Sequence, residues 1–125
     1  MSQVLLVGAG GFIGALLRYA LNSAIQRLTH NASFPYGTLV INLSGCLVIG
    51  LLAGLIMSGR MSPRLYWREF VFVGILGGFT TFSTFGLDTV TLARTQSMAP
   101  AIWNLVGQVV IGLLAVQTGI FLTQR

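Results

Sequence analysis

The sequence predicts an all-α membrane protein with four transmembrane helices. A chain of 125 residues that is 54% hydrophobic and only 7% charged cannot be an ordinary soluble domain. Its apolar residues fall into runs near the length of a bilayer crossing, and polar or turn-forming clusters separate those runs. At about 20 apolar residues per crossing, the length accommodates four short-looped spans as a single domain over residues 1–125.

The first span is read over residues 4–23. It carries Gly8, Gly10, Gly11 and Gly14, small residues that let helices approach closely, with Gly10 and Gly14 in GxxxG spacing. The amino terminus, Met-Ser-Gln-Val, lacks a charged leader and runs straight into apolar sequence, so the segment reads as a retained span and not a cleaved signal. Residues 31–37, with Ser33, Pro35 and Gly37, form a turn cluster before the second span at 38–57. Residues 58–63 make the next connection, where Pro63 suits the first turn of a helical entry. The third span covers 69–92 and is expected to be broken near its middle, at 77–81. After 94–100 comes the last span, 101–122.

All seven basic residues are Arg, at 18, 27, 60, 64, 68, 94 and 125, and the only acids are Glu69 and Asp88. The arginines are scattered among helix ends without a basic stripe, which argues against nucleic acid and fits the usual membrane pattern. Four crossings put both termini on one side together with Arg60, Arg64 and Arg68, so that side holds four arginines including Arg125. Arg27 and Arg94 fall on the other. This bias is shallow, and a small protein with so weak an orientation signal can insert both ways and pair head to tail. No internal repeat is visible, so a two-fold site would need a second copy. With one His, one Cys and two separated acids, no metal cluster or nucleophile, base and orienter set is apparent, and no enzyme is expected. Cys46 reads as a small packing residue.

Residues 77–86, Gly-Gly-Phe-Thr-Thr-Phe-Ser-Thr-Phe-Gly, are where function is expected to be written. Two glycines and four hydroxyl side chains loosen a helix at a depth where water cannot repair it, and such backbone is tolerated where it is buried in protein or lines a wet path. Phe79, Phe82 and Phe85 recur every three residues, the pattern of a packing ridge. Their interleaving with Thr80, Thr81, Ser83 and Thr84 favours a second role, because an aromatic edge is positive and can solvate a small anion without trapping it. Asn42 stands mid-span one helical turn after Thr38, and its amide hydrogens are either donors for an anion or glue between helices. On the last span, Asn104 and Gln108 share a face that continues through Gly112 and Val116, where any polar lining fades. Arg18, within or near the end of the first span, either snorkels to the interface or sets a positive potential at a vestibule. Asp88 could answer Arg18 or Arg94.

Gly-Thr-Leu-Val-Ile-Asn at 37–42 and Gly-Gly-x-Thr-Thr-Phe-Ser-Thr-Phe at 77–85, within four spans of this total length, resemble the bacterial fluoride channel family, Fluc or CrcB. The Gly-rich opening through Arg18 and Tyr19 also fits. The resemblance implies a multi-pass protein of the bacterial inner membrane that exports cytoplasmic fluoride passively. It further implies an antiparallel, dual-topology homodimer with two pores and a structural sodium ion at its centre. By position, Phe82 and Phe85 would meet fluoride through their ring edges, with Asn42 as the donor beside them. Thr38, Ser83 and Thr84 would extend the polar track, and Arg18 would sit near a vestibule. Gly77 and Thr80 would offer main-chain carbonyls to sodium. Two departures stand out. The family's fourth-span track carries Tyr or small hydroxyl residues where this chain has Asn104, Gln108, Gly112 and Val116, and Phe79 adds a ring where another residue is common.

Two other classes compete. A small four-span multidrug-type proton antiporter needs a membrane-embedded carboxylate, yet the first span offers Arg18, and Asp88 lies toward one end of the third. A non-transporting assembly subunit would use the same Phe and Gly residues only to pack.

Overall fold

The computed structural model describes residues 2–30, 33–62 and 67–124. Met1, Asn31, Pro63, Arg64 and Arg125, which entered the readings of the amino terminus, the turns and the charge bias, lie outside the described residues. Among those described there is no strand. Four helical stretches are long and apolar enough to cross a membrane: Ser2–Leu28, Tyr36–Met57, Arg68–Thr95 and Met98–Thr123.

Helix α1 (Ser2–Leu28) runs five residues beyond the expected 23, because Ala24 to Leu28 are adequate helix formers and Arg27 complements the negative end of the helix dipole. It stops at His30, whose left-handed φ of 49° ends the winding after Thr29 bonds back to the Ile25 carbonyl. Helix α2 (Tyr36–Met57) starts after Pro35 and ends at Gly59, whose φ of 72° lets the Met61 N–H reach the Leu55 carbonyl.

The third stretch is composite. Segment α3 (Arg68–Leu76) is wound as a π-helix, and the Gly77 N–H that follows it reaches the Phe72 carbonyl. The single turn α4 (Gly77–Phe79) returns to α-geometry. Thr80 (φ −94°, ψ 154°) and Thr81 (φ −152°, ψ 126°) are extended, and α5 (Phe82–Thr95) follows. The glycines themselves therefore stay helical, and the two β-branched threonines, which favour extended backbone, are the residues that leave helical geometry. Helix α6 (Met98–Thr123) begins three residues before the expected 101. Pro100 is accommodated in its first turn, where a backbone N–H would have no partner within the helix.

Three helix pairings dominate: α2 on α6, α1 on α3 and α4, and α5 on α6. The two halves of the third stretch thus rest on different neighbours. Glycine makes the first two pairings close. Gly10 and Gly14 face the backbone of Gly74, Ile75 and Phe79, and Gly78 faces Gly11. Across the other seam, Gly119 abuts Leu47 and Leu51, while Gly50 abuts Val116. The buried apolar side chains are few (Ile41, Leu76, Phe85, Leu92 and Ala101), and large apolar residues such as Phe12, Leu113 and Leu114 point outward, as lipid requires.

A Cβ on Gly119 would sit 2.5 Å from the Leu51 nitrogen and 2.7 Å from the Leu47 oxygen, and backbone cannot step aside. Gly119→Leu is expected to cost about 3 kcal/mol or more by overpacking and to lower the unfolding temperature in detergent. Gly107→Ala, at a position with nothing within 4 Å, is the matched control and should leave that temperature in place.

Candidate functional site

The extended residues Thr80 and Thr81 expose main-chain groups that an uninterrupted helix would pair internally, and a part-buried amide takes up those of Thr81. The Thr81 N–H, which would otherwise donate to Gly77 four residues back, donates to Asn42 Oδ1 at 3.1 Å. Asn42 Nδ2 returns a bond to the Thr81 carbonyl at 3.3 Å and a second, at 2.7 Å, to Gln108 Oε1. Both amide hydrogens of Asn42 are therefore engaged within the protein.

On one side of this Asn42–Thr81 latch lies an open cavity of about 390 Å³, bordered by Phe82, Phe85, Gly77, Thr80, Cys46 and Gln108. The two rings meet edge-on, with centroids 5.4 Å apart and planes at 63°. They differ sharply in exposure: Phe85 is 6% exposed and buried in the bundle, whereas Phe82 is 81% exposed at the open rim. On the other side is a cavity of about 270 Å³, bordered by Arg18, Asn22, Thr38 and Thr84. Asn42 and Thr81 line both cavities, so the latch is the partition between them. A third cleft of about 220 Å³ shares Asn22, Thr38 and Thr84 with the second and carries Asp88, Thr91 and Thr95 toward Ser33, Phe34 and Pro35 ahead of α2.

The structure thus gathers Asn42, Phe82, Phe85, Gly77 and Thr80 on one cavity and Arg18, Thr38 and Thr84 on the next. Ser83 borders neither and pairs its hydroxyl with that of Thr81 at 2.9 Å on the exposed side. Phe79 packs beside Gly45, and Gly112 beside Cys46. Among the described residues Asp88 forms no ion pair with Arg18 or Arg94, and its Oδ2 is buried without a hydrogen-bond partner. That Asn104 is wholly buried (0% exposed) and that Gln108 (8%) touches Asn42 are not legible from their four-residue spacing, which marks a shared polar face and leaves its target open. Asn22 and Thr89 carry no sequence signal that marks them for the site.

Four hydrophobic crossings around adjoining polar cavities make this a small multi-pass membrane protein of the channel and transporter class. The model of the family described as CrcB-like protein, Camphor Resistance (CrcB), matches residues 5–120, and the chain belongs to that family. It is 42% identical over 123 residues to a protein of Solibacter usitatus, covering 98% of this chain and 99% of the relative. It is 46% identical to one from Chloroflexus aurantiacus (96% and 94% covered) and 42% identical to one from Methylobacillus flagellatus (95% and 92%). Each of these relatives carries the name fluoride-specific ion channel FluC.

Proposed function

We propose that the chain is a fluoride-selective channel of the bacterial inner membrane, passing the ion through the two cavities that meet at Asn42 and Thr81. The observation that carries this reading is the edge-on Phe82–Phe85 pair on the same cavity as the only amide on α2 that spans to α5. Aromatic edges and amide hydrogens are weak, numerous and uncharged partners, enough to replace part of an anion's hydration and too weak to hold it. Arg18 adds a positive potential at the next cavity and repels cations. Fluoride reaching Asn42 would exchange for the longer of its two bonds, to the Thr81 carbonyl, while Gln108 keeps hold of the amide. The names of the relatives support the choice of fluoride over other anions.

The working unit in this reading is an antiparallel homodimer with two pores. A ring 81% exposed at the rim of an open cavity at bilayer depth needs a cover, and a second, inverted copy supplies it. The interruption of the third span at Thr80 and Thr81 then serves both copies. Gly77 fits a structural sodium ion, because its carbonyl is released when the Thr81 N–H turns to Asn42, and the extended Thr80 offers a second carbonyl. Those oxygens, repeated in the partner, would hold the cation, whose charge would balance the electron-rich faces of the rings.

Asp88, with its buried and unpartnered oxygen, is the one feature that favours the proton-coupled antiporter. Efflux from fluoride-loaded proteoliposomes tests both. The channel is expected to release fluoride far faster than protein-free vesicles, with no comparable chloride release and no dependence on an imposed proton gradient. Efflux at the protein-free rate, or flux that requires the gradient, would sink it.

A further inference from the structure

We infer that Gln108 and Asn104 are positioning residues of the ion path, members of a directed hydrogen-bond relay that sets which way the Asn42 amide faces and ties the ring-bearing turn of α5 to α6. This rests on the fluoride reading for its functional consequence, though not for its geometry. The relay has a fixed sense because it begins on main chain. The Thr81 N–H can only donate, so Asn42 must turn Oδ1 toward it and Nδ2 toward Gln108 Oε1. Gln108 must then donate through Nε2, which it does to Asn104 Oδ1 at 3.0 Å. Asn104 in turn donates through Nδ2 to Thr89 Oγ1 at 2.8 Å, and the Thr89 hydroxyl donates to the Phe85 carbonyl at 2.8 Å. Each amide orientation is dictated by the one before it.

The anchor points explain what the relay accomplishes. Thr81 immediately precedes α5 and the Phe85 carbonyl closes its first turn, so Phe82 and Phe85 lie between the two fastenings. Asn104 is fully buried and Gln108 nearly so, so the two α6 amides at the centre of the relay have no water to turn to if a partner is lost, and their bonds stand or fall together. Where α6 presents amides in place of small hydroxyls, it can span the distance to Asn42 directly. Loss of Gln108 leaves only the Thr81 contacts to orient that amide.

The test compares fluoride efflux for wild type, Gln108→Met, Thr89→Val and the double variant, each reconstituted after its folding is checked by size exclusion. Gln108→Met keeps the chain length and loses both bonds, and is expected to slow efflux about tenfold. Thr89→Val keeps the volume and cuts the remote end, slowing efflux about threefold. If Thr89 acts through the relay, the double variant falls no further than Gln108→Met alone. Losses that multiply to about thirtyfold, as two independent packing defects would, overturn the proposal, and so does wild-type efflux in Gln108→Met. Side-chain amide resonances of ¹⁵N-labelled Asn42 give a second readout: Thr89→Val should shift them, and unmoved resonances overturn the relay even if Gln108→Met does not fold. A wild-type protein that passes no fluoride would defeat the functional reading, and the same resonances would still decide the relay.

Discussion

Phe82→Ile and Phe85→Ile should each reduce fluoride efflux by about a hundredfold or more while the protein still folds and assembles. In the proposed path fluoride sheds water at the aromatic rim, and a barrier raised by about 3 kcal/mol corresponds to roughly that loss of rate. Isoleucine supplies apolar bulk and no positive edge, so it removes the compensating interaction. The structure makes the pair of variants informative, since the two positions differ so much in burial. Phe82 is 81% exposed, and within one copy its replacement removes its edge contact with Phe85 and leaves the buried core filled. Phe85 is 6% exposed, and its replacement also thins the core, at a cost set by the lost volume. If slowed efflux arose from instability alone, Phe85→Ile would be impaired and Phe82→Ile would not. Wild-type efflux in either variant would remove that ring from the ion path, and size exclusion shows whether assembly has survived.

Asn42→Asp should block more completely. The carboxylate still accepts from the Thr81 N–H, but it faces the Thr81 carbonyl and Gln108 Oε1 with oxygen where Nδ2 had donated to both. A negative charge about 4 Å from a passing anion costs on the order of 4 kcal/mol at an effective dielectric of 20, close to a thousandfold in rate. Efflux from vesicles carrying Asn42→Asp should match the protein-free leak, and undiminished conduction would place the path elsewhere.

Four crossings were legible because apolar length alone decides them, and the structure corrects only their ends. Those ends moved outward for local reasons: a helix does not stop where hydrophobicity does, so α1 continues to Leu28 and α6 takes in Pro100. The glycines were the harder case. Gly77 and Gly78 looked like the point of weakness in the third span, yet both remain helical, and Gly78 serves close approach to α1 while Thr80 and Thr81 turn extended. A glycine's two uses, freedom and smallness, read identically in sequence and separate only when a neighbour is present. The π-winding of α3 left no pattern to find. Asn104 and Gln108 showed the limit most clearly. Their shared face was visible, but what they bond to depends on α2 and α5, residues as far as 66 positions away in the chain.

The relay also imposes an order on biogenesis. Asn42 and Thr89 are synthesised before the helix that carries Gln108 and Asn104, so a nascent chain halted ahead of α6 holds polar groups in the bilayer with their partners not yet made. The last crossing to leave the ribosome is the one that lets the earlier ones settle. A chain halted before α6 therefore leaves the second Asn42 amide hydrogen and the Thr89 hydroxyl each short of one bond, and synthesis of α6 completes both.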